Sequence, residues 1–157
     1  MTPGINAAKK AGVAHRIHEY SHDAGHPSYG LEAAEKMAVP AQQVFKTLVV
    51  ALDGKAMAVG IVPVTHQLSL KQMARAAGSK KAAMAAAADV QRSTGYVLGG
   101  VSPLGQKKRL PTFIDSSARD YARVYVSAGR RGLEIELNPD DLRRLTDGTF
   151  AGLTDND

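Results

Sequence analysis

The sequence predicts an α+β (mixed α/β) chain: one domain over residues 1–157, with a barrel-like β-sheet surrounded by helices. Three observations carry this expectation. Strand-like and helical stretches succeed one another irregularly, not in the regular strand–helix repeat of a doubly wound parallel sheet. Residues 44–52 and 55–62 are two apolar, β-branched runs joined by Asp53-Gly54, a strong hairpin signal. A chain of 157 residues, 44% hydrophobic and 22% charged, has the size and balance of one well-filled core.

The elements follow in order. Thr2-Pro3 reads as an N-cap with proline in the first turn, opening a helix that runs to about Gly12. His15 to Tyr20 alternates and reads as a strand. Ser21 to Gly30, with Asp23, Gly25, Pro27 and Gly30, reads as a loop. Leu31 to Val39 is a helix stopped by Pro40, and the hairpin follows. Leu70 to Ala77 is a short helix closed by Gly78. The alanine run Ala82 to Ala88 reads as helical filler leading into Asp89–Thr94. Tyr96 to Val101 reads as a glycine-interrupted strand, and Leu110–Asp115 and Arg123–Ser127 as further strands. Gly132 to Leu137 sets Leu133, Ile135 and Leu137 against Glu134 and Glu136, the pattern of a half-buried strand. Asn138-Pro139 caps a last helix containing Leu142 and Leu145. There is no internal repeat and no linker.

Composition narrows the chemistry. The chain has no cysteine, which removes disulfides, thiolate metal sites and a thiol nucleophile, and fits a reducing, cytoplasmic setting. No stretch approaches a membrane span, and Met1-Thr2-Pro3-Gly4 lacks the apolar core of a signal peptide. Net charge is +5, unevenly placed: residues 80–131 carry ten Lys or Arg and three acids. A basic half points to a polyanion, with RNA the usual candidate; a solvated basic face is the plain alternative.

Lys46 is the most unusual single residue. It interrupts the apolar run Val44-Phe45-Lys46-Thr47-Leu48-Val49-Val50, sharing one strand face with Val44, Leu48 and Val50. Such a lysine either begins the strand and snorkels into solvent or is held inside for anion binding or chemistry. The window by itself favours the first reading. Gly95 to Gly105 is glycine-dense and could present backbone N–H groups to a phosphate or an oxyanion, though it has neither Walker nor dinucleotide spacing. Lys107-Lys108-Arg109 follows directly, three adjacent cations that face either an anion or water. Ser127 to Gly132 is a tight basic turn that could hold a phosphate or carboxylate, or simply join two strands. His18, His22 and His26 would align on a helix, but Gly25 and Pro27 argue against one, so no metal site is expected. No strand-turn-helix nucleophile elbow is present.

Several of these segments together resemble a known family. They are Phe45-Lys46-Thr47-Leu48, Gln91-Arg92-Ser93-Thr94-Gly95-Tyr96, the stretch Gly99-Gly100-Val101-Ser102-Pro103-Leu104-Gly105-Gln106-Lys107-Lys108-Arg109, and Gly129-Arg130-Arg131-Gly132-Leu133, with Met1-Thr2-Pro3 and His18-Glu19-Tyr20. In order and spacing they are similar to the bacterial Cys-tRNA(Pro)/Cys-tRNA(Cys) deacylases of the YbaK/EbsC type. The resemblance implies the editing fold shared with the insertion domain of bacterial prolyl-tRNA synthetases. It implies clearance in trans of tRNA(Pro) mischarged with cysteine, in a complex with prolyl-tRNA synthetase, and no cofactor. Lys46 matches the family's essential lysine. Tyr20, Thr47, Gly99, Ser127 and Glu134 match pocket positions, and Tyr29-Gly30 stands where a Phe-Gly pair is common. Leu31 replaces a frequent acid, and Glu134 is one methylene longer than the usual aspartate.

On that resemblance, the substrate's own thiol attacks its ester carbonyl and leaves as a cyclic thiolactone. Lys46 supplies positive charge, and the Gly99 and Gly100 N–H groups serve the oxyanion. Tyr20, Tyr29, Thr47, Ser127 and Glu134 hold the aminoacyl group and terminal adenosine. Arg92, Lys107, Lys108, Arg109, Arg130 and Arg131 are the expected tRNA contacts. Two other readings stand beside this one: water-dependent hydrolysis of another mischarged tRNA, such as Ala-tRNA, and a non-catalytic tRNA-binding module.

Overall fold

The computed structural model describes residues 1–26 and 28–155. Helix α1 (Pro3–Ala11) is capped by Thr2, whose hydroxyl accepts the Ile5 N–H at 3.2 Å, and ends at Gly12 with left-handed backbone. Strand β1 (His15–Glu19) follows. Helix α2 (Tyr29–Met37) begins two residues before the predicted Leu31, because Ser28 supplies the cap. Strands β2 (Phe45–Leu52) and β3 (Ala56–Pro63) form the predicted hairpin. Leu52 pairs with Ala56, so the connection is three residues rather than two, with Asp53 and Gly54 both in left-handed backbone. Helix α3 (Leu70–Ala76) is capped by Ser69. Strand β4 (Ala82–Met84) and helix α4 (Ala87–Thr94) follow. Then come β5 (Thr112–Asp115), β6 (Val124–Arg130), β7 (Leu133–Leu137), α5 (Pro139–Thr146) and β8 (Thr149–Ala151).

The strands form an antiparallel sheet ordered β1-β7-β6 and a mixed sheet ordered β4-β2-β3-β5-β8. A parallel bridge between Val44 and Tyr125 joins them. The barrel-like sheet is therefore two sheets meeting at a seam, not a closed cylinder. On β2, Phe45 and Val49 enter the main core with Val59 and Ile61, while Val50 and Leu52 enter a second core with Ala58, Val62 and Met73. Lys46 lies opposite Val62, on the second face. Helix α2 lays Ala33 and Ala34 over the seam, against Val44, Tyr20 and Tyr125.

Four expectations are corrected. Part of the alanine run is strand: Ala82–Met84 pairs with Val50–Leu52. Asp53 fixes that pairing, its carboxylate accepting the Lys81 N–H at 2.8 Å and its own N–H donating to the Lys81 carbonyl. An edge made by tertiary contact overrides alanine's helical preference. Residues 96–101 are irregular rather than a strand, because Gly99 takes φ +91° and Gly100 sits directly on the backbone of Arg130. Strand β7 is not half-buried: Glu134 and Glu136 are 7% and 8% exposed, covered from the side the pattern assigned to solvent. Strand β8 and the 3-10 turn Ser116–Asp120 add elements that the pattern had not shown.

The irregular segment after α4 is nonetheless firmly held. Tyr96 is buried and its hydroxyl donates to the Leu104 carbonyl at 2.7 Å, while Leu104 N–H donates to Ser102 Oγ. Tyr96→Phe leaves that buried carbonyl without its partner. It is expected to destabilise the fold by about 1–3 kcal/mol, read from the urea midpoint at unchanged m-value.

Candidate active site

The seam opens into a cleft of about 250 Å³. The first half of β2 supplies Phe45, Lys46, Thr47 and Leu48; the end of β1 supplies Tyr20; and the start of α2 supplies Ser28, Tyr29 and Gly30. Leu98 and Gly99 come from the segment after α4, and Ser127, Arg131 and Glu134 from the β6–β7 hairpin. Ser127 and Glu134 are direct cross-strand partners, so both point to one face. A bulge between Ser127 and Arg130 breaks the register there, and Ser127 Oγ accepts the Gly129 N–H within it.

The cleft is electrostatically unusual. Lys46 is half-buried and forms no ion pair among the described residues; burial pushes its ammonium below the ordinary lysine value. Glu134 makes no side-chain hydrogen bond among the described residues, and burial pushes its carboxyl up to about 8. At neutral pH it is therefore mostly the carboxylic acid, able to donate a hydrogen bond. Burial, then the neighbouring Glu134 and Glu32, push the Tyr20 hydroxyl up to about 12, so it stays protonated. Thr47 Oγ1 is buried without any hydrogen-bond partner, alone in this among the described side-chain atoms. An unpaired lysine, an unpaired acid and an unpaired hydroxyl share one small hollow, the pattern expected of groups that a ligand satisfies.

Arg131 holds one wall in place. Its guanidinium donates to buried Glu32 of α2 at 3.0 Å and to the Asp23 carbonyl at 2.6 Å, and it lies over the Tyr29 ring, 4.1 Å from the centroid. Burial would push the Glu32 carboxyl up, but the Asp23 N–H and the Arg131 guanidinium outweigh it and hold the group below the ordinary carboxylate range. The far side of that wall needs glycine. A Cβ on Gly99 would lie 2.5 Å from the Tyr29 ring, and one on Gly100 would lie 2.8 Å from Arg130 Cα.

The structure thus brings together Lys46, Gly99, Tyr20, Tyr29, Thr47, Ser127, Glu134 and Arg131. It does not bring Gly100 in as a donor: its N–H is already given to the Val97 carbonyl at 3.0 Å. Of the expected pair, only the Gly99 N–H has no backbone acceptor among the described residues. Arg131 belongs to the cleft wall rather than to an outer face. Exposed Arg130 pairs with Glu19 at 2.7 Å, and exposed Arg92 pairs with Asp89. Lys107, Lys108 and Arg109 lie outside the cleft. Glu32 is the residue that sequence reasoning missed. It lies 99 positions from Arg131, and no local spacing announces the pair. The three histidines separate: His18 pairs with Glu136, His26 with Glu35, and His22 is exposed. Among the described residues no group of three or more His, Cys, Asp or Glu is placed to hold a metal ion, and no helix is long and apolar enough to cross a membrane.

Comparison with known proteins agrees with this fold. The aminoacyl-tRNA editing domain family matches residues 28–145. The chain is 35% identical over 153 residues, 98% of its own length and 93% of the relative's, to EbsC of Enterococcus faecalis (strain ATCC 700802 / V583). That relative is provisionally named a Cys-tRNA(Pro)/Cys-tRNA(Cys) deacylase. The present chain is also 27% identical over 115 residues to the uncharacterised YwhH of Bacillus subtilis (strain 168), covering 73% of each chain. A solved structure, provisionally assigned as a trans-editing enzyme for prolyl-tRNA synthetase, superposes with TM-score 0.87 at 23% identity, covering 98% of this chain and 96% of that one. The chain belongs to the aminoacyl-tRNA editing domain family.

The raised Glu134 pKa has a consequence for stability. The unfolded chain releases this proton in the ordinary carboxylate range, whereas the folded chain keeps it until about 8. Between those limits the folded state holds the extra proton, so the Glu134 contribution to stability is intact at acid pH and is lost as pH rises towards the folded value. The slope reaches at most about 1.4 kcal/mol per pH unit. Glu134→Gln is expected to flatten that fall and to be more stable than the parent in mildly alkaline buffer, as measured by denaturant unfolding across a pH series.

Proposed function

We propose that the protein is a trans-editing deacylase that clears Cys-tRNA(Pro), working beside prolyl-tRNA synthetase, by letting the substrate's thiol attack its own ester. One observation carries the reading: the cleft offers an unpaired, desolvated lysine but no nucleophile with a base beside it. Among the described residues no histidine lines it, the chain has no cysteine, and Ser127 Oγ accepts the Gly129 N–H and bonds to no side-chain base. A carboxyl that stays protonated to about 8 is a poor base for activating water at neutral pH. The attacking group must then come with the substrate. The hollow of about 250 Å³ falls just below the range of about 300–1,000 Å³ for drug-sized ligands, which suits an aminoacyl group with its ribose better than a whole nucleotide.

The steps follow from these groups. Lys46 favours the thiolate of the bound cysteinyl ester. The sulfur attacks the carbonyl carbon, forming a C–S bond and an oxyanion that the Gly99 N–H can receive. The oxyanion collapses, the carbonyl–ribose oxygen bond breaks, and the thiol's proton ends on the ribose hydroxyl. The products are a thiolactone and uncharged tRNA. Protonated Glu134, Thr47 Oγ1 and the Tyr20 hydroxyl hold the aminoacyl group for an attack that needs near-contact geometry. Selectivity then resides in the thiol. Proline and alanine lack it, whereas pocket size alone discriminates a methylene by only about 1–3 kcal/mol.

Lys46→Ala is expected to lower deacylation of Cys-tRNA(Pro) by about 100-fold or more while the melting temperature stays near that of the parent. The assay runs Cys-, Ala- and Pro-tRNA(Pro) side by side and identifies the product by chromatography. Equal turnover of the alanyl ester, or free cysteine as the first product, would overturn substrate-assisted attack.

A further inference from the structure

A second concavity, of about 470 Å³, lies away from the cleft and shares no residue with it. Its walls are the C-terminal half of α1, residues 103–110 and the last turn of α5. Three cations meet there, Lys10 from one wall and Lys108 with Arg109 from another, nearly a hundred positions apart in sequence. No acid lines it, and none of the three forms an ion pair among the described residues. Lys107 is not part of it; its stem lies against Gly95 at the end of α4.

The groove is built rather than incidental. The segment carrying Lys108 is pinned to α4, the Lys107 and Lys108 N–H groups donating to the Thr94 and Ser93 carbonyls, both at 2.9 Å. Gln106 Nε2 donates to the Ser102 carbonyl at 3.0 Å. On the other wall, the Thr2 hydroxyl anchors the start of α1 to the Ala128 carbonyl. Gly105 also lies directly on the Pro3–Gly4 backbone of α1, which ties the two walls together without a ligand. Three like charges held around an acid-free hollow repel one another, and an anion with spaced charges relieves that repulsion.

We propose that this groove seats the sugar–phosphate backbone of the tRNA whose aminoacyl end enters the cleft, giving the protein a second RNA contact centred on Lys10, Lys108 and Arg109. The proposal rests on the editing function proposed above for its choice of polyanion. Regularly spaced phosphates match three separated cations, and each neutralised phosphate releases counterions, so the contact has a salt signature.

The test measures binding of fluorescently labelled, uncharged tRNA(Pro) by anisotropy from about 50 to 200 mM salt, for the parent, the triple variant Lys10→Gln/Lys108→Gln/Arg109→Gln, the charge-keeping Lys10→Arg/Lys108→Arg/Arg109→Lys, and Lys55→Gln on the far hairpin. Loss of three phosphate contacts is expected to weaken binding in low salt and to flatten the salt dependence, so that over this fourfold range the parent loses about 40-fold more affinity than the triple variant. The charge-keeping and Lys55 variants are expected to follow the parent. Deacylation of a short cysteinylated oligonucleotide that fills only the cleft is expected to be unchanged in the triple variant. An unchanged salt slope overturns the proposal, as does equal loss on the short substrate. Unchanged tRNA affinity with lost binding of prolyl-tRNA synthetase overturns it in favour of an acidic protein surface. Failure of the parent to deacylate any mischarged tRNA sinks the editing reading but not this one, since uncharged tRNA reads the groove directly.

Discussion

Taking an ammonium out of water is strongly unfavourable unless a counter-charge or an aqueous opening compensates it. Lys46 is half-buried on a strand that is hydrogen-bonded to β3 along its whole length, and no ion partner faces it among the described residues. The backbone cannot bend away without breaking the central ladder, so the fold leaves a hollow beside the side chain instead. The architecture around β2 serves that hollow. The two sheets meet at Val44 and Tyr125, α2 roofs the seam, and the β6–β7 hairpin supplies the opposite wall.

The walls use two different kinds of contact. On one side, a buried ion pair between Arg131 and Glu32 ties the hairpin to α2, with the Tyr29 ring beneath the guanidinium. Removing either partner would strand the other charge in the interior, so the pair fixes position whatever its net contribution to stability. On the other side, close approach does the work. Gly99 lies against Tyr29 and Gly100 against Arg130, where any side chain would collide. The polar groups left unsatisfied, the Glu134 carboxyl and the Thr47 hydroxyl, are gathered at the cleft. Among the described residues, buried side-chain polar atoms elsewhere find partners, so unmet hydrogen bonding is concentrated at one place.

Much of the fold was legible because local chemistry and final structure agree. Thr2 and Asn138 cap their helices, Gly12 ends the first, and the apolar runs around Asp53-Gly54 pair as a hairpin. What could not be read was set at long range. Ala82–Met84 is a strand because Asp53 captures it, and residues 96–101 are irregular because Gly100 must lie on Arg130. Glu134 and Glu136 kept the alternation of a half-exposed strand, yet Glu134 lies within the cleft and Glu136 lies against His18 and Arg123. For the site, the oddity of Lys46 was visible in its apolar surroundings, and the other pocket positions came through family resemblance. Arg131 looked like part of a basic outer face, because nothing near it in sequence shows Glu32 waiting across the fold.

The seam has a mechanical consequence. The cleft is bounded on one side by a strand of the larger sheet and on the other by the smaller sheet, and the two are joined by the Val44–Tyr125 bridge and by the core they share. Its width is therefore set by how those two plates pack, more than by side-chain rotamers. A molecule lodged there acts as mortar between the plates. Its grip would be felt in slower amide exchange on both sides of the joint, well beyond the atoms it touches.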